Sequence, residues 1–161
     1  MFRSADTCRC AQCMCPHSFP TAVLFLNIDF PPANGTILSM KAIGVDIVDI
    51  ERIGESVGRF GDRFLKRIFT EQELAYCNNR LDSLAARWAA KEAVAKALGC
   101  GIGEIGWREI EVVSEPNRRP TLRLHGAAAE LATQLGIEGF AISLSHAKEY
   151  AVAFVVGEIV R

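Results

Sequence analysis

One carboxylate, Asp46, stands inside the apolar run Lys41-Ala-Ile-Gly-Val-Asp-Ile-Val-Asp49, where a lone charge is costly unless something compensates it. A second, Glu92, lies in an alanine-rich stretch whose other charges are Arg87, Lys91 and Lys96. Magnesium binds through one or two carboxylates and completes its octahedron with waters and substrate phosphates. Asp46 with Glu92 would therefore make half a magnesium site, with Lys91 and Lys96 taking the remaining phosphate charge. Composition alone would read the same charges as a solvated helix face carrying one Glu92–Lys96 pair. The embedded Asp46 argues for metal-assisted phosphate chemistry instead, without fixing a reaction.

Other residues of reactive type have less around them. His146 follows Leu144-Ser145 at a strand end, where a histidine serves a turn or an interface more often than as a base. The run Gly101-Ile-Gly-Glu-Ile-Gly106 spells G-x-G-x-x-G, but it follows a helix and precedes a strand, the reverse of a dinucleotide fingerprint. It reads as a helix end and a turn. Cys8, Cys10, Cys13 and Cys15, with His17 near, are soft donors for a zinc ion, although the second distant pair of a zinc ribbon is missing. No G-x-S-x-G elbow supports a serine hydrolase. Arg52, Arg59, Arg63, Lys66 and Arg67 recur on one helical stripe beside an apolar one, which reads equally as a surface for an acidic protein and as a solvated face.

The elements that would position these residues follow from periodicity. Lys41 to Asp49 reads as a buried strand. Ile50, Ile53, Val57, Phe60, Phe64 and Ile68 predict an amphipathic helix that Gly54, Gly58 or Gly61 interrupts. Thr70 and Glu73 form a capping box that opens a short helix to about Asn78. Ser83 to Leu98 predicts a long Ala-rich helix closed by Gly99. Strands are expected over Trp107–Val113 and Thr121–His125, a helix over Ala127–Leu135, and a terminal hairpin of Phe140–Ser145 with Tyr150–Val156.

These elements all lie beyond Met40. Residues 1–39, with four prolines and no helical period, are expected to be a poorly ordered extension, and residues 40–161 the folded domain. The 161 residues suit one core, and half of them are hydrophobic, which excludes general disorder. A net charge of −1 disfavours nucleic acid, and no apolar run reaches the roughly 20 residues that would span a membrane. No secretory or transit signal is visible, which by itself fixes no targeting; the location expected is cytoplasmic.

Four segments in order then carry a resemblance: Gly44-Val-Asp-Ile-Val-Asp-Ile-Glu-Arg-Ile53, Phe69-Thr-Glu-Gln-Glu-Leu74, Leu84-Ala-Ala-Arg-Trp-Ala-Ala-Lys-Glu-Ala-Val-Ala-Lys-Ala-Leu-Gly99 and Leu144-Ser-His-Ala-Lys-Glu-Tyr-Ala151. From Met40 onward the chain resembles the holo-acyl-carrier-protein synthases, the short branch of the 4′-phosphopantetheinyl transferases. Trp88 departs from the family's usual phenylalanine. The resemblance implies an α+β fold, a small antiparallel sheet packed with helices, and transfer of phosphopantetheine from coenzyme A to a serine of acyl carrier protein in support of fatty acid biosynthesis. It implies Mg2+ on Asp46 and Glu92, Lys96 on the phosphates, and Arg87 and Lys91 as coenzyme A contacts. Glu92 would also accept the serine proton by way of a water. Ser145 and His146 would touch the nucleotide from a neighbouring subunit of a homotrimer, and Arg52, Arg59, Arg63 and Arg67 would dock the carrier protein. The alternative is a non-catalytic coenzyme A- or nucleotide-binding oligomer with a metal- or redox-responsive Cys-rich tail; a binder would leave coenzyme A intact.

Overall fold

A computed structural model describes residues 41–160. The 1–39 extension, with its cysteine cluster, lies outside the described residues. The described residues open with strand β1 (Lys41–Asp49), then helices α1 (Ile50–Phe60), α2 (Asp62–Ile68), α3 (Glu71–Cys77) and α4 (Leu81–Ala97). A 3-10 turn at Trp107–Glu109 leads into β2 (Ile110–Ser114) and β3 (Pro120–Leu124). Helix α5 (Gly126–Gln134) and the hairpin β4 (Ile137–His146) and β5 (Tyr150–Ile159) complete it. β1, β5 and β4 form one antiparallel sheet in that order, and β2 and β3 a separate two-stranded one. The expected α+β class is what forms.

α4 is the centre of the fold. It packs on β1 and β5 on one side and on β2 and α3 on the other. Its alanines 85, 86, 89, 90, 93 and 95 are all buried, and side chains this small let backbones approach. The closest approach is at Gly44, where an added Cβ would lie inside the carbonyl group of Ala93. Any side chain at 44 would hold β1 off the helix. The core falls into two clusters, one between α4, the sheet and α5, the other between α1, α2, α3 and the first half of α4.

Three expectations need correction. Among the described residues β1 is covered on one face only: Gly44 and its alternates meet α4, whereas Ile43, Val45 and Ile47 are 58%, 52% and 64% exposed. An apolar run does not reveal which of its faces the chain itself covers. The helix over 50–68 is interrupted as expected, at Gly61 (φ 55°), a positive φ that glycine adopts freely, and what fails is the single arginine stripe. Gly54 and Gly58 stay helical, and since the break separates Arg52 and Arg59 from Arg63 and Arg67, no single helical stripe carries the arginines. Finally, Trp107–Glu109 is a 3-10 turn, because the Glu109 carboxylate folds back to accept the Gly106 N–H at 2.8 Å. Glu109 also accepts the Ala127 N–H at 3.2 Å, at the start of α5.

The remaining boundaries shift by a few residues. α4 starts at Leu81, and the terminal strands run further than expected. Asp49 ends β1 and caps α1, its Oδ1 accepting the N–H groups of Glu51 and Arg52 at 2.8 and 3.3 Å.

Candidate active site

Side chains alternate along β1, so the close approach at Gly44 aims Asp46, two residues on, at the next turn of α4. There Lys96 Nζ donates to Asp46 Oδ1 at 2.8 Å and to the Val45 carbonyl at 3.1 Å. The ion pair is partly buried, 26% exposed on the lysine side and 18% on the aspartate side. Glu92 lies one turn before Lys96 on the same helix face. Burial, and then the neighbouring Asp46 carboxylate, push the Glu92 carboxyl above its ordinary range, with Lys96 working against them.

Two neighbouring carboxylates and one ammonium thus share the region where β1 meets α4. The oxygen donors suit a hard cation such as Mg2+, which would relieve the repulsion that raises Glu92. Among the described residues no third histidine, cysteine or carboxylate joins them. Water and phosphate oxygens would have to supply the other ligands.

Arg87 and Lys91 sit elsewhere. Lys91 was expected among the phosphate and coenzyme A contacts, but it has no solvent exposure, and its ammonium pairs with Glu73 Oε2 at 2.8 Å. It also donates to the carbonyls of Trp107, at 3.0 Å, and Ile110. All three N–H donors are taken on the side of α4 away from Asp46, so Lys91 has none left for phosphate or coenzyme A. Burial draws the Lys91 ammonium below its usual range, against the pull of Glu73. Glu73 itself, buried beneath the start of α3, is legible in the sequence only as a helix cap.

Arg87 is also buried, at 3% exposure. Its guanidinium donates to Ser83 O at 3.3 Å and Ser114 Oγ at 2.9 Å, and lies 4.3 Å from the centre of the Tyr76 ring. Its Nε has no partner among the described residues. Arg87 thus points to the N-terminal end of α4, as does His146, whose Nε2 is 3.7 Å from Asp82 Oδ2. Ser145, one position earlier in β4, projects to the opposite, open face of the sheet. At 1.5 Å per residue, Asp82 and Glu92 are about 15 Å apart along α4. The fold therefore brings Asp46, Glu92 and Lys96 together and leaves His146 and Arg87 at the other end. Arg52 and Arg59 on α1, and Arg63 and Arg67 on α2, are exposed.

The profile of the 4′-phosphopantetheinyl transferase superfamily matches residues 42–155. A holo-[acyl-carrier-protein] synthase of Herpetosiphon aurantiacus is 51% identical over 125 residues, which cover 73% of this chain and 98% of that protein. The crystal structure of Helicobacter pylori holo-[acyl-carrier-protein] synthase in complex with coenzyme A superposes with a TM-score of 0.66 at 35% identity, covering 71% of this chain and 98% of that one. A Chronobacterium ammoniagenes ACPS–coenzyme A complex superposes at 0.68 with 32% identity, covering 76% of this chain and 99% of that one.

Proposed function

The chain belongs to the 4′-phosphopantetheinyl transferase superfamily, and from that premise we propose that it moves 4′-phosphopantetheine from coenzyme A to a serine of apo acyl carrier protein. Adenosine 3′,5′-bisphosphate is released. The observation that carries the reading is the convergence of Asp46, Glu92 and Lys96 where β1 lies against α4. The serine oxygen attacks the phosphorus that bears the pantetheine arm, and the bond from that phosphorus to the bridging oxygen of the pyrophosphate breaks. The serine proton passes to Glu92 by way of a water. Lys96 stabilises the negative charge that builds on the phosphate oxygens. Asp46 and Glu92 would hold Mg2+, which when bound neutralises the pyrophosphate and holds it in line.

A homotrimer is supported by two features. Ile43, Val45, Ile47, Tyr150 and Phe154 leave an apolar face of the β1–β5 pair exposed, which suits a second copy of the chain. His146 also lies at the far end of α4 from the carboxylates, so in a homotrimer the Ser145–His146 end of a neighbouring subunit would complete the coenzyme A site. The thiols of Cys77 and Cys100 are free, which fits a reducing cytoplasm. Among the described residues no helix is long and apolar enough to cross a membrane. Supply of holo carrier protein would support fatty acid biosynthesis.

The exposed arginines of α1 and α2 make the carrier-protein surface. Charge reversal at Arg52 and Arg63 together is expected to raise the KM for carrier protein at least about tenfold, most at low salt. The KM for coenzyme A should stay within error; equal changes in both would remove the docking role.

The reaction itself is tested by intact-mass analysis of apo acyl carrier protein incubated with coenzyme A, Mg2+ and either the full chain or one starting at Met40. Both should add the mass of phosphopantetheine. Bound but uncleaved coenzyme A, with no mass added to a competent carrier, would favour a binding module.

A further inference from the structure

The Lys91–Glu73 pair is shut off from solvent and touches none of the groups assigned to the reaction. Glu73 nonetheless ties together more of the fold than a helix cap requires. Its Oε2 accepts from Lys91 Nζ and from the Thr70 N–H at 2.9 Å, and its Oε1 accepts the Val112 N–H at 3.0 Å. Thr70 Oγ1 accepts the Glu73 N–H at 3.2 Å and donates to Glu111 Oε1 at 2.7 Å. Lys91 adds the carbonyls of Trp107 and Ile110. The start of α3, the 3-10 turn and β2 are thus fastened to one residue at the middle of α4.

That fastening matters because of what α4 is made of. Its buried alanines present shallow ridges, against which a helix can slide or turn with little loss of contact. A buried ion pair with directional partners is best attested as a device that fixes register. Lys91 and Glu92 are consecutive, and consecutive helical residues project about 100° apart. Fixing Lys91 on the β2 side therefore fixes the direction of Glu92 on the β1 side.

We infer that Glu73 is a positioning residue for phosphopantetheine transfer: through Lys91 it sets the rotation and axial position of α4 and so holds Glu92 opposite Asp46. The inference rests on the transferase reading.

The test compares wild type, Glu73→Gln, and Glu73→Gln combined with Lys91→Met, in steady-state transfer with each substrate varied and in thermal melts. Glutamine with its oxygen on the Thr70 N–H retains the helix cap, leaves the Lys91 charge unpaired and gives up the acceptor for the Val112 N–H; the double variant removes the charge and the anchor together. Glu73→Gln is expected to lower kcat by on the order of tenfold or more, as sub-ångström misplacement does, with both KM values within about twofold. The double variant should regain melting temperature and keep the low kcat. If Glu73→Gln does not fold, the double variant decides. Recovery of kcat along with melting temperature would reduce the pair to a stabilising role, and a raised KM for coenzyme A with kcat unchanged would make Lys91 a direct contact; either overturns the inference. A wild-type chain that transfers nothing overturns the transferase reading and this role with it, whereas wild-type transfer with undiminished kcat in both variants overturns this role alone.

Discussion

Glu92→Ala is expected to lower kcat at least about a hundredfold without loss of the fold, since it removes both the proton acceptor and one of the two carboxylates. Its effect on stability is predicted from the same electrostatics that make it useful. A carboxyl whose pKa is raised on folding binds protons more tightly in the native than in the unfolded state, so its ionisation at neutral pH opposes folding. Removing it should leave the melting temperature at pH 7 unchanged or higher. Asp46→Ala is expected to abolish transfer equally but to melt earlier, because Lys96 loses the partner it holds at 2.8 Å. Transfer at the wild-type rate by either variant, or full wild-type activity in magnesium-free buffer with a chelator, would sink the assignment of the carboxylates. A lower melting temperature for Glu92→Ala would show that burial and Asp46 do not strain it.

The second large effect lies two residues from the first carboxylate. Gly44→Ala would drive a methyl group into the Ala93 carbonyl, and helix backbone cannot swing aside as a flexible side chain can. β1 must then lift from α4. The cost is expected to be about 3 kcal/mol or more, the upper end for overpacking, read as a fall in the denaturation midpoint. Because β1 carries Asp46, transfer should vanish even in the fraction that still folds. Gly58→Ala is the matched control: a Cβ there meets nothing within 4 Å. In the exposed α1 helix it should raise stability by about 0.5–1 kcal/mol. Equal behaviour of the two variants would remove the close approach as the reason for a glycine at 44.

The contrast between these glycines shows where the sequence is readable. Asp46 stands out because an apolar strand seldom holds a charge, and the spacing of Glu92 and Lys96 already places them on one helix face. The same spacing puts Arg87 and Lys91 on another face, and that much is correct. What faces each stripe is a tertiary fact. Glu73, which neutralises Lys91, comes from a separate helix, and its capping box uses the same carboxylate for a local purpose. Local signals predict Thr70 and Glu73 as a cap and have nothing further to distinguish them. Likewise Gly54, Gly58 and Gly61 look alike in one dimension, and only at 61 does the chain take a left-handed turn. The exposed outer face of β1 eludes periodicity for a related reason, since an apolar run is the same whether its second cover comes from this chain or from another copy.

β5 lies between β1 and β4, and β1 pairs along its whole length with it, Lys41 opposite Glu158 and Asp49 opposite Tyr150. Among the described residues, the first strand therefore has no neighbour in its sheet until the last one has been made. On the ribosome, α1 to α4 emerge and can form their local turns long before then, while the strand that bears Asp46 waits. Joining so distant a pair is a slow step in folding, and here it completes the sheet that holds the strand bearing Asp46. A nascent chain lacking its final strand would carry Glu92 and Lys96 on α4 but have no enzyme to show for them.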